Sequence, residues 1–474
     1  MRSPSRRHHS LRSRSHMTKP LAPAGRLSRT ICVGWGLGTL APAMVLMACN
    51  VLLLRYLTDQ VGVAAALAST LIAVSKLVDA ILDPLMGYAS DRTKNKRGRR
   101  RPYLILGGVL LAMSVVGLFT IPSFTDADLR AVYVGGVLLF YAIAYTVFNI
   151  PYLAMPAEMT TDYHERSYLM SFRVYALGLG AIAGAVIGPM LLAALGGGSK
   201  AYLAMALVFV PLILASAWAS FYYTRNAPFA PSEPGSRLPI AEQIHSILSN
   251  RPFVVLIAAK FLTLLLMGIQ SVFAFYFTYV LKLSDAYLGQ YFLAFSLGTI
   301  VSQPLWLKVA RWTGSKRNTF IAALLLGIPA YLSWLAATPG ESSVFILLRA
   351  LVIGASGGGA VLMGQSLLPD TMEYDYRRTG QRREGIYAGF FTTAEKLSGA
   401  LGIALVGAIL GAAGYVQSQG RPVAQPQSAI EAIYAIMALL PVLINILTIL
   451  CLSFYSLSEE RLKTTGRLVS NHEA

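Results

Sequence analysis

The chain has 474 residues, 55% hydrophobic and only 13% charged, with a formal net charge of +18 and a mean hydropathy of +0.57. A soluble globular domain carries about a quarter charged residues, so the composition argues against a soluble protein and predicts a polytopic membrane protein. The positive charge does not argue for nucleic acid, because its distribution along the chain follows membrane topology.

Residues 1–30 are polar and basic, with no acidic residue. Their composition resembles a transit peptide, but a disordered cytoplasmic tail is the simpler reading, with Met17 as a second candidate start. Apolar segments follow at about 31–57, 62–90, 103–122, 131–155, 169–195, 201–223, 253–281, 287–307, 319–338, 343–368, 386–414 and 430–457. Most have the length of a bilayer-crossing helix. The first lacks a small-residue cleavage site, which argues against a secretory signal. Lys and Arg crowd the loops and tails of one side, thirty of the forty against about five on the other. That bias places both termini in the cytoplasm and requires an even number of spans. The Pro-rich interruption 224–252, with a short surface helix expected over 239–249, divides the chain into bundles 31–223 and 253–457 before the tail 458–474. The three cysteines, Cys32, Cys49 and Cys451, fall in apolar runs without metal-ligand spacing.

The second segment carries Lys76, Asp79 and Asp83 at i, i+3 and i+7, one face of a helix. Carboxylates inside a bilayer are costly and tend to be functional. A structural ion pair of Lys76 with Asp79 is the alternative, and it leaves Asp83 without a partner. The basic burst that follows is read as topology and lipid contact, with Asp91, Arg92, Arg99, Arg100 and Arg101 also latching helix ends at a gate. The halves repeat. Asp83-Pro84-Leu85 is echoed by Gln303-Pro304-Leu305, and Pro156 with its acidic followers by Pro369 with Asp370, Glu373 and Asp375. Two similar halves suit a transporter that rocks about a central site.

DAILDPLMGYASDR followed by GRRRPY, together with PDTMEYDYRRTGQRREGIY at Pro369–Tyr387, resembles the two signatures of the glycoside–pentoside–hexuronide:cation symporters, the melibiose-permease family of the major facilitator superfamily. The resemblance implies an all-α fold of twelve transmembrane helices in two pseudo-symmetric six-helix bundles, working by alternating access. It implies that Asp79 and Asp83 are the paired cation-site carboxylates and that Thr146 is the hydroxyl joining them. It places Lys76 at a basic position of the family, and Arg173 and Lys396 near the substrate and cation sites. The chain also departs from the pattern. Ala41 and Asn149 stand where the family has sugar-holding carboxylates, Leu153 where it has an aromatic, and Leu82 where it has an Asn between the aspartates. The losses argue against a galactoside. They also weaken a sodium site at Asp79 and Asp83, since hard cations need several oxygen ligands. A proton needs only one buried carboxylate, so H+ is the expected coupling ion, with Na+ the competitor, and no cofactor is expected.

The remaining polar residues have bland readings too. Arg173 and Lys396 can satisfy carbonyls or the aspartates instead of substrate. Lys260 and Arg349 read as snorkelling side chains. Glu395 points about 100° from Lys396 and is a poor partner for it. The Asn149 amide serves substrate or the backbone freed by Pro151. Tyr145, Tyr152 and Tyr175 line a cavity or pack. Gly180, Gly184 and Gly188, and Gly357 to Gly359, let helices approach closely. No nucleotide loop, metal cluster or nucleophile motif supports an enzyme. The expectation is a monomeric, multi-pass symporter of the bacterial inner membrane for a sugar, glycoside or uronide. An amphipathic solute such as a lysolipid, or a non-transporting sensor, are the alternatives.

Overall fold

A computed structural model describes residues 27–93, 100–122, 124–160, 163–227, 248–379, 384–418, 420 and 423–458. Among the described residues the regular structure is entirely helical. Twelve helices are long and apolar enough to cross a membrane: α1 Arg29–Val61, α2 Ala65–Ser90, α3 Arg101–Leu118, α4 Ala127–Pro156, α5 Tyr168–Ala194, α6 Gly198–Thr224, α7 Arg251–Val280, α8 Asp285–Thr313, α9 Lys316–Ala336, α10 Ser343–Thr379, α11 Gly389–Ala412 and α12 Gln427–Ser453. Hydrocarbon offers the backbone no hydrogen bonds, so each span must satisfy its own N–H and C=O groups. The sequence-based expectation of twelve spans holds. The tenth span is longer than its apolar run, because the helix continues through Pro369 to Thr379. The expected surface helix falls mostly outside the described residues, as do nearly all of both tails.

The helices form two six-helix halves, α1–α6 and α7–α12, and the repeat is visible in local geometry. α1 is interrupted at Gly38–Thr39 and α7 at Gln270–Ser271. Each then ends in a widened π turn, Tyr56–Val61 and Tyr276–Val280, on the related sequences YLTD and YFTY. Six residues beyond each leading tyrosine the backbone turns left-handed, at Gly62 (φ 80°) and at Lys282 (φ 56°). Glycine takes that conformation without strain and lysine does not, so the chain end at Lys282 is held by its surroundings.

The halves meet where α2 packs on α11 and α5 on α8. Small residues make the approach possible. A Cβ on Gly407 would collide with Ser69 of α2, and one on Gly411 would press on Ala66. Within the first half, Gly180 and Gly184 of α5 lie directly over the Leu40 and Met44 carbonyls of α1.

The two ends of the molecule differ. At the end away from the termini, Asp59 is buried (5% exposed) and accepts from the hydroxyls of Tyr279 (2.8 Å) and Tyr415 (2.6 Å), both in the other half. Burial pushes the Tyr415 phenol up, which keeps it a donor. Ser418 Oγ and Gly420 N–H donate to the Asp59 carbonyl at 2.8 and 2.7 Å, and Arg55 pairs with Asp285. At the end carrying the termini, polar contacts among the described residues stay within one half. Arg101 donates to the Arg225 and Ala227 carbonyls at 2.7 and 2.8 Å, and Arg100 to the Ala154 carbonyl. Lys316 pairs with Asp370 at 2.6 Å.

Candidate functional site

At mid-depth, α2 presents Asp79 and Asp83 one turn apart toward α11. Lys396 of α11 reaches between them. Its Nζ donates to Asp79 Oδ2 at 2.9 Å and also to Asp83 Oδ2. Thr146 of α4 donates to Asp79 Oδ1 and lies 3.4 Å from Asp83 Oδ1. Asp79, Asp83 and Lys396 are between 15% and 22% exposed, so the cluster is shielded but reachable. Two carboxylates so close repel each other when both are ionised. Here the ammonium stands between them, supplied by the opposite half.

Lys76, a candidate ion-pair residue, is not paired with Asp79. Its Nζ donates to Asn50 Oδ1 of α1 at 3.0 Å, and Lys396 takes the acidic pair. Asn50 of α1 gives Lys76 an acceptor, while Lys396 already occupies the space between the aspartates.

The other sequence-predicted residues divide. Arg173 is partly buried on α5, its Nε has no hydrogen-bond partner, and no carboxylate among the described residues pairs with it. Asn149 is half-buried with no hydrogen bond among the described residues, so it is not patching the Pro151 kink. Tyr145 is half-buried beside Tyr141. Tyr152 is a correction to the cavity reading, since it is 1% exposed and stacks flat on Trp35 at 4.8 Å. Its hydroxyl accepts from Thr39 and donates to the Trp35 carbonyl, both at 2.8 Å. At the break in α1 that carbonyl accepts the Gly38 N–H at 3.0 Å, and Tyr152 adds a second donor.

Of the gate residues, Arg92 lies over the Tyr88 ring at 4.0 Å. Arg100 and Arg101 fasten helix ends inside the first half, as described above. Glu373 pairs with Arg377 at 2.6 Å, and the buried Asp375 lies 3.6 Å from Arg378. Arg99 and the side chain of Asp91 lie outside what the structure describes. Two residues read from sequence as snorkelling do otherwise. Arg349 forks onto Glu341 and lies 4.8 Å over Trp334. Lys260 is buried and pairs with Glu395. No local signal marks that pair, since its members are 135 residues apart.

The family model described as MFS/sugar transport protein matches residues 34–459. The chain belongs to this family. Its relatives include a putative glycoside/cation symporter of Escherichia coli, 27% identical over 93% of this chain and 95% of the relative. Another is a glucuronide carrier protein homologue of the same organism, 28% identical over 92% and 94%. Among solved structures, a bacterial homologue of the human lysosomal transporter Spinster in an inward-facing, unoccupied conformation superposes with a TM-score of 0.64. It does so at 14% identity over 92% of this chain and 97% of that one, a likeness of fold. The protein is thus a multi-pass membrane transporter for small molecules, built on the major facilitator fold.

Proposed function

We propose that the protein is a cation-coupled symporter of a glycoside or acidic sugar, acting as a monomer in the bacterial inner membrane with both termini in the cytoplasm and no enzymatic activity. The observation that carries this reading is Lys396 of one half bridging Asp79 and Asp83 of the other. In the ion-free state the ammonium is the counter-charge of the carboxylates. When a cation binds the pair, Lys396 loses part of that compensation. An ammonium left unpaired at membrane depth is costly, so it then favours an acceptor oxygen on an incoming substrate. Ion and substrate therefore favour each other through one side chain, as reciprocal coupling requires.

The coupling ion is a proton. Leu82 offers no oxygen beside the aspartates, Lys396 already fills the space between them, and a proton needs only one carboxylate oxygen. Arg173 and Asn149, which no carboxylate or hydrogen bond among the described residues engages, supply a cation and an amide to a substrate bearing an acidic group and hydroxyls. The polar ties between the halves at the far end, Asp59 to Tyr279 and Tyr415 and Arg55 to Asp285, support a conformer closed there and open to the cytoplasm.

Proteoliposomes with an imposed pH gradient, with and without a sodium gradient, test the reading. Methyl glucuronide, methyl xyloside and lysophosphatidylcholine serve as probes. The expected result is accumulation of a sugar probe that follows the pH gradient and collapses with a protonophore. Accumulation driven by sodium alone would replace the ion, uptake of the lysolipid alone would replace the substrate, and no flux at all would leave a sensor.

A further inference from the structure

Lys396 is not the only charged residue at this depth of α11. Glu395 precedes it and points about 100° away, toward α7, where Lys260 donates to its Oε1. The pair is lopsided. Lys260 is 7% exposed, and its ammonium also lies against the Phe391 ring, so the cation is enclosed by a carboxylate and a π face. The Glu395 side chain is 40% exposed, and its Oε2 has no partner among the described residues.

What that oxygen faces follows from the helix itself. Leu397, Leu401 and Leu405 are exposed along one stripe of α11, the composition of a lipid-facing surface. Glu395 lies about 120° around the helix from Leu401, the middle of that stripe. A half-exposed carboxylate at membrane depth is tolerated facing water and not facing hydrocarbon. Glu395 therefore looks into the space between the halves, on the wall next to Lys396.

We propose that Glu395 is the carboxylate that accepts the hydroxyls of the transported sugar, with Lys260 as the residue that positions it. This rests on the sugar-symport reading above. The chain has Ala41 and Asn149 where the family's sugar-holding acids stand, so hydroxyl recognition needs an acceptor from elsewhere, and Glu395 offers an oriented one. Lys260 holds one oxygen, which fixes the rotamer and stops it from swinging to Lys396. The hydroxyl acceptor and the coupling pair are thereby kept on separate faces of one helix.

The test measures binding to purified wild type, Glu395→Gln and the double variant Lys260→Met/Glu395→Gln. The probes are methyl glucuronide, methyl xyloside and their monodeoxy derivatives. The double variant removes the buried cation that Glu395→Gln alone leaves uncompensated. Both variants are expected to weaken the tightest-binding sugar roughly tenfold or more, the scale of lost hydrogen bonds to a charged acceptor. The monodeoxy derivative lacking the recognised hydroxyl should bind wild type and variants alike, and the half-saturation for the coupling ion should move by less than about twofold. Unchanged sugar affinity in the double variant, or an equal loss for every derivative and for the ion, overturns the assignment of Glu395 while leaving sugar symport intact. Wild-type protein that binds neither sugar overturns the sugar-symport reading, and this assignment with it.

Discussion

Asp79 and Asp83 share one ammonium and one hydroxyl, yet their substitutions should differ in what survives. Asp83→Asn removes one charge while Lys396 keeps Asp79 at 2.9 Å, so the expected protein is folded and inserted but unable to accumulate substrate against a gradient. Counterflow and gradient-driven uptake, measured side by side, check this; full concentrative uptake would remove Asp83 from the coupling. Lys396→Ala leaves two carboxylates facing each other without a cation, so its half-saturation for substrate should rise by about tenfold or more while the coupling ion, no longer competing with the ammonium, binds more tightly. Values unchanged for both would return Lys396 to a structural role. At this scale the sequence was informative where chemistry is local. Two acids on one apolar helix face announce themselves. Tyr152 did not, because its role depends on a carbonyl at the break of another helix.

Elements meet here through glycine. Gly180 and Gly184 set α5 against the Leu40 and Met44 carbonyls of α1, and a side chain there has backbone rather than a flexible neighbour to displace. Gly184→Val should destabilise the protein by about 1–3 kcal/mol, the usual cost of overpacking, read as a fall in unfolding temperature in detergent. An unchanged midpoint would show that the helices separate freely. Gly178, with nothing close to its missing Cβ, is the matched control. The glycine spacing was legible in the sequence as a packing device, but its partner helix was not. The repeat was legible at the Pro-Leu motifs. At the π turns of α1 and α7 it became visible only through geometry, since a left-handed lysine in place of a glycine hides the correspondence.

For the whole molecule, the decisive asymmetry is that the halves are tied together at one end. Asp59 takes two tyrosine hydroxyls from the opposite half, and Arg55 takes Asp285. Opening that end must break these bonds. Asp59→Ala should shift the population toward the conformer open at the far end by about tenfold, corresponding to about 1.4 kcal/mol. A cysteine placed at Ser69, buried against Gly407 of α11, in a background lacking the native three, reports the change through faster labelling by an impermeant thiol reagent. Unaltered labelling would mean that the helix packing and the Arg55–Asp285 pair hold the end shut without Asp59.

The membrane class, the twelve spans, the two halves and the acidic pair can all be read along the chain. Each of these is written in properties that neighbours along the chain share: hydropathy over a bilayer's thickness, charge in the loops, the pitch of one helix. The partners of the charged side chains emerge from the folded arrangement. That Lys396 rather than Lys76 sits between the aspartates, that Lys260 holds Glu395, and that Asp59 ties the halves together are contacts between segments far apart in the chain. In the low dielectric of the membrane such charges cannot stand alone, yet nothing in the local sequence says which opposite charge the fold will bring.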